Sequence, residues 1–151
     1  SLSLFQPVFR ANAERRAEGL PVAAVDYVIK NRIQGNMFNV YQEGGYLIYR
    51  LGPEHKVFID GRVDVYGDSF FKDYIQMYTG KAEWKHKFDR HAIDYAILDK
   101  DAPIRQLLLA DGSFREAFSD KQHSVLLRVV PRQAGLSSRT GKQEERHGPP
   151  Q

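Results

Sequence analysis

Apolar positions along the chain follow two rhythms, and the switches between them mark out the elements. Val22, Val25, Ile29 and Ile33 recur at helical spacing across Pro21–Ile33, with Pro21 suited to a first helical position and Gly35 as the stop. Met37–Tyr41 is a short apolar run that reads as a buried strand. Gln42–Leu51 then reads as a short helix ended by Gly52-Pro53. Lys56–Asp60, β-branched and aromatic between turn residues, gives the best strand pattern in the chain. Asp68 is placed to cap a helix running to about Tyr78 and stopping at Gly80. Glu83–His91 forms the next helix, with Trp84 and Phe88 on one face. Ile93–Leu98 is a strand and Ala102–Ala110 a helix closed by Asp111-Gly112. Phe114–Ser119 and Ser124–Val130 make a hairpin about the polar turn Asp120–His123, although Phe114–Phe118 also fits a helical pattern.

Strands separated by helical segments predict an α/β fold in three layers: a mainly parallel sheet with flanking helices and a C-terminal antiparallel hairpin at its edge. The organisation expected is a lead-in over residues 1–20, an α/β domain over 21–130 and a basic tail over 131–151. The tail is almost without aliphatics and wholly without aromatics, a composition that favours disorder. No internal repeat is visible.

Composition narrows the field further. At 151 residues, 42% apolar and 12% aromatic, the chain can bury a core of its own. No run reaches the roughly 18 apolar residues of a membrane span. The absence of cysteine removes disulfides, thiolate catalysis and cysteine-ligated zinc. The formal net charge is +3, of which the tail supplies +2 through Arg132, Arg139, Lys142 and Arg146 against Glu144 and Glu145. The body is therefore nearly neutral, which argues against a nucleic-acid-binding face.

Candidate chemistry gathers where strands end, because ligands of open α/β sheets sit beyond the carboxyl ends of the strands. Asn39, Asp60 and Asp99 fall there. Asp60 opens the stretch Asp60-Gly61-Arg62-Val63-Asp64-Val65-Tyr66-Gly67, in which Asp60, Arg62 and Asp64 could hold a metal ion or clamp a phosphate, or else tie a tight turn. Gly44-Gly45 lies between a strand and a helix, as phosphate-cradling glycines do, but neither the dinucleotide nor the Walker spacing is present. Close packing is the alternative use of such a pair. Tyr46 and Tyr66 flank these two features and could stack on a sugar or base. The remaining aromatics recur at core spacing. His86 and His91 are five apart and share no helical face, and no Gly-x-Ser-x-Gly elbow occurs. A nuclease grouping of Asp60 with Glu83 and Lys85 is disfavoured because the latter two lie in a helical segment.

The pairing of Asn39-Val-Tyr-Gln-Glu-Gly-Gly-Tyr-Leu-Ile-Tyr-Arg-Leu51 with Val57-Phe-Ile-Asp-Gly-Arg-Val-Asp-Val-Tyr66 resembles the soluble C-terminal domain of large polytopic bacterial membrane proteins. The membrane halves of that family look like those of glycosyltransferases that use lipid-linked sugars. The resemblance spans about Pro21 to Val130. It implies an extracytoplasmic (periplasmic) domain tethered after a last transmembrane helix, with Leu2–Phe9 as the stub leaving the bilayer. It implies partners in the protein's own membrane domain and in a lipid-linked sugar or glycan acceptor, and none in nucleic acid. Catalytic carboxylates of such enzymes lie in membrane-domain loops, so the resemblance assigns no catalytic residue, metal or cofactor to this domain. Asn39, Gly44, Gly45, Tyr46, Asp60, Arg62, Asp64 and Tyr66 become the expected recognition surface. The alternative is a small metal-dependent hydrolase or transferase with Asp60, Asp64 and Asp99 around magnesium.

Overall fold

The computed structural model describes residues 19–61 and 67–131. Helix α1 (Val22–Lys30) buries Ala24, Val25 and Val28. It is shorter than its apolar pattern predicts because Asn31 caps it, donating from its side-chain amide to the Tyr27 carbonyl at 2.9 Å. Arg32 then turns left-handed at φ 50°, and Ile33 folds back with its N–H on the Val28 carbonyl. Strand β1 (Asn36–Asn39) leads through a 3₁₀ turn at Tyr41–Glu43 into α2 (Gly44–Leu51). Helix α3 (Asp68–Thr79) presents Phe71, Tyr74 and Met77 to the core and stops at Gly80, whose φ of 66° suits a residue without a Cβ. There follow α4 (Trp84–Arg90), β2 (Ile93–Asp99), α5 (Pro103–Asp111), β3 (Phe114–Ser119) and β4 (His123–Arg128). Phe114–Phe118, compatible with a helix by pattern, is a strand because it pairs with β4.

Among the described residues four strands form one sheet, ordered β1-β2-β4-β3. Only β1 and β2 run parallel; β4 pairs antiparallel with both β2 and β3. The fold is thus α/β with flanking helices, but the sheet is mixed and mostly antiparallel rather than mainly parallel. Two differences from the expectation account for this. The hairpin docks through β4 onto β2, in the middle of the sheet. And Lys56–Asp60, for all its strand-like composition, forms no strand. Instead the buried Asn39 side chain serves that segment's backbone. Its Oδ1 accepts the N–H groups of Phe58 (2.7 Å) and Ile59 (3.2 Å), and its Nδ2 donates to the Ile59 carbonyl (2.8 Å). One amide side chain replaces a ladder, so Ile59 is fully buried without pairing as a strand residue.

The period-two alternation of the strands divides the core. Phe38, Ala96, Leu98, Leu126 and Phe114 pack with Phe71, Tyr74, Met77, Phe88, Ile104 and Leu108 from α3, α4 and α5. Met37, Tyr95, Ile97 and Val125 pack with residues of α1 and α2, including Val25, Val28, Leu47 and Leu51. The first cluster is strongly aromatic, with Phe38–Phe88 and Phe58–Phe70 ring centroids each 4.9 Å apart. Each large side chain buried in this way stabilises the fold by about 1.5–3 kcal/mol before entropy. Among the described residues no helix is long and apolar enough to cross a membrane. Residues 1–18 of the lead-in, Arg62–Tyr66 and the tail from 132 lie outside the described residues.

Candidate functional site

The topology brings three ionisable side chains together at the carboxyl ends of the parallel pair. Asp99 is the last residue of β2. His123 is the first of β4 and lies directly opposite it in the antiparallel register. Glu43 closes the turn after β1, its N–H bonded to the Val40 carbonyl at 3.0 Å. His123 Nε2 is 2.8 Å from Glu43 Oε1 and 3.7 Å from Asp99 Oδ1, and the three side chains are 4%, 1% and 9% exposed.

Each member is held by its surroundings. Asp120 fixes the entry to β4: its Oδ1 accepts the N–H groups of Gln122 (2.8 Å) and His123 (2.7 Å). Burial alone would raise the Asp120 carboxyl, but those two backbone donors hold it below the usual range. The Tyr78 hydroxyl of α3 donates to Asp99 Oδ2 at 3.4 Å, which leaves Oδ1 as the atom turned to His123. Burial by itself would push the His123 imidazole down. The hydrogen bond and charge of Glu43, then the charges of Asp99 and Asp120, outweigh it and hold the imidazole above its ordinary value.

Glu43 is followed by a glycine for a packing reason. A Cβ on Gly44 would lie 2.6 Å from Asp60 Cα and would also strike the Ile59 carbonyl, so only glycine lets the Asp60 backbone close against the start of α2. This close approach places the buried Asp60 beside the residue that follows Glu43. Asn39, through Phe58 and Ile59, anchors the same segment. Asn39, Gly44 and Asp60 are thus brought together, and Asp99 stands with Glu43 and His123. Gly45 has open space where a Cβ would go. Tyr46 is engaged elsewhere: its hydroxyl accepts from Arg50 at 2.5 Å, and Arg50 in turn pairs with Asp26 of α1. Arg62, Asp64 and Tyr66 lie outside the described residues.

Sequence reasoning named Asp99 but missed Glu43 and His123. Glu43 reads as an ordinary residue at a helix start and His123 as part of a polar turn. The signal that finds them is register: with the hairpin docked on β2, the first residue of β4 must face the last residue of β2. At the other end of the sheet, Ile33, Gln34, Asp94, Leu127, Arg128 and Pro131 line an open hollow of about 760 Å³. Asp94 Oδ2 accepts the Asn36 N–H at 2.8 Å there, and Arg128 donates through Nε to the Ile93 carbonyl at 2.7 Å and pairs through Nη1 with Asp89 at 3.1 Å. Compared with protein-family models, curated proteins and solved structures, the chain matches none.

Proposed function

We propose that this chain is a non-catalytic, extracytoplasmic domain of a glycosyltransferase-like integral membrane protein, supporting recognition of a lipid-linked donor or glycan acceptor, or assembly with the membrane domain. The observation that carries the reading is the enclosure of the ionisable cluster at the carboxyl edge. Glu43, Asp99 and His123 are each less than a tenth exposed, so they hold three chain segments in place rather than meet a substrate. The same edge carries Asn39, Gly44 and Asp60, which anchor the start of the Asp60–Gly67 stretch. Arg62 in that stretch is suited to a phosphate or carboxylate, and Tyr66 to stacking on a sugar ring.

Reading the gene upstream of Ser1 tests the membrane part of this proposal. Several hydrophobic spans of about 20 residues are expected, and a gene encoding only a short protein without them sinks it. Arg62→Ala then tests recognition, with loss of lipid-linked-sugar binding expected and unchanged binding opposing the role. The metal-dependent hydrolase reading draws on one observation, that Asp99 does meet other metal-ligating side chains. It requires magnesium-dependent turnover that disappears in Asp60→Asn.

A further inference from the structure

The Glu43–Asp99–His123 cluster combines features that ion pairing alone does not require. One ligand atom from each residue, an imidazole nitrogen and two carboxylate oxygens, lies within 4.8 Å of the others, and all three residues are buried. The donors come from three separate segments, with Glu43 and His123 80 residues apart in sequence. Each is positioned by something other than the cluster: Glu43 by its turn, Asp99 by the end of β2 and the Tyr78 hydroxyl, His123 by the strand register and the Asp120 turn.

We propose that Glu43, Asp99 and His123 form a binding site for a divalent transition-metal ion, with Zn²⁺ the best-matched ion, that staples the turn after β1 to the ends of β2 and β4. Mixed imidazole and carboxylate donors select zinc over magnesium, which prefers oxygen alone and keeps its waters. Zinc bonds to nitrogen and oxygen are about 2.0–2.2 Å long, so tetrahedral neighbours stand about 3.3–3.6 Å apart. The 3.7 Å between His123 Nε2 and Asp99 Oδ1 is already close to that separation. The 2.8 Å between Nε2 and Glu43 Oε1 is a hydrogen bond, and it opens by less than about 1 Å when a metal replaces the bridging proton. The Tyr78 hydroxyl on Asp99 Oδ2 supplies the outer-shell contact by which metal sites orient their carboxylates. This site is independent of the membrane-protein reading and stands or falls on metal binding alone.

The test is titration of the chelator-treated full chain with Zn²⁺ by calorimetry, and with Co²⁺ by visible absorption. One equivalent of each is expected, with d–d bands for cobalt and a rise of several degrees in the unfolding temperature with zinc. His123→Ala should weaken binding at least 100-fold. Glu43→Gln, which keeps the side-chain shape, should weaken it at least 10-fold if the alanine variant does not fold. Absence of stoichiometric binding by the wild-type chain overturns the proposal. So does binding that survives both substitutions, which would place the ion elsewhere.

Discussion

His123 and Ser124 are neighbours on β4, yet they belong to polar clusters of opposite construction. On the face of Ser124, Arg105 donates through Nε to Ser124 Oγ at 2.9 Å and pairs through Nη2 with Glu116. Ser124 Oγ donates to Glu116 Oε2 at 3.0 Å. One guanidinium meets one carboxylate, the hydroxyl closes the ring, and Lys100 stands at the rim 3.9 Å from Glu116. On the face of His123, two carboxylates converge on one imidazole, and the set is more deeply buried. A balanced, hydrogen-bonded ring is complete as a structural device. The trio instead sets an imidazole nitrogen and two carboxylate oxygens within 4.8 Å of one another, the donor set that the proposed metal site needs. Two adjacent residues on one strand thus separate structural support from candidate chemistry, because alternate strand residues face opposite sides of the sheet.

The largest effect expected is from His123→Ala in the metal-free chain. It leaves Glu43 and Asp99 facing each other in the interior and should cost about 3–5 kcal/mol in urea unfolding. A loss below about 1 kcal/mol would show that the trio contributes little, and the contrast between the clusters would fail. Glu116→Ala strands the Arg105 guanidinium, but Glu116 is 27% exposed and water reaches the gap. Its cost should be nearer 2 kcal/mol. Gly44→Ala forces a Cβ against the Ile59–Asp60 backbone beside Glu43 and should cost about 1–3 kcal/mol.

The pH dependence of the two clusters should run in opposite directions. The His123 imidazole is held above its ordinary value of 6.5, so its contribution is fully present below that pH and is lost as pH rises through the folded-state value. Burial would raise the Glu116 carboxyl, but the Arg105 and Ser124 hydrogen bonds lower it overall. Its contribution is present above 4.5 and is lost as pH falls through the folded-state value. Unfolding free energies measured from pH 3 to pH 9 should therefore fall at both ends. His123→Ala should flatten the alkaline limb, and Glu116→Ala should flatten the acid limb while leaving the alkaline one in place. The smallest effect belongs to Gly45→Ala. Open space awaits its Cβ inside α2, so a gain of about 0.4–1 kcal/mol is expected. A loss would show that Gly45, like Gly44, is held by a close contact.

Much of the fold was legible in the chain because periodicity survives burial. The apolar spacing of α3 and α5, the glycines that end them and the hairpin about Asp120 all stand where the pattern puts them. Lys56–Asp60 was misread for a physical reason. Strand composition reports a buried extended segment, but it does not report whether the hydrogen-bond partner is a strand or the side chain of Asn39. The site was legible by halves. Asn39, Asp60 and Asp99 could be named because each falls where a strand or strand-like run ends. Glu43 and His123 could not, since nothing local distinguishes them from solvated turn residues.

By itself the sequence determined the α/β alternation of elements, the two hydrophobic faces and the placing of Asn39, Asp60 and Asp99 where extended runs end, because each depends on local spacing and on which residues tolerate burial. The tertiary structure decided the order and direction of the strands, the use of Asn39 in place of a ladder and the meeting of Glu43, Asp99 and His123. Those depend on which distant segments pair and in what register. A docking that places β4 against β2 converts a turn histidine into the centre of a buried charge cluster.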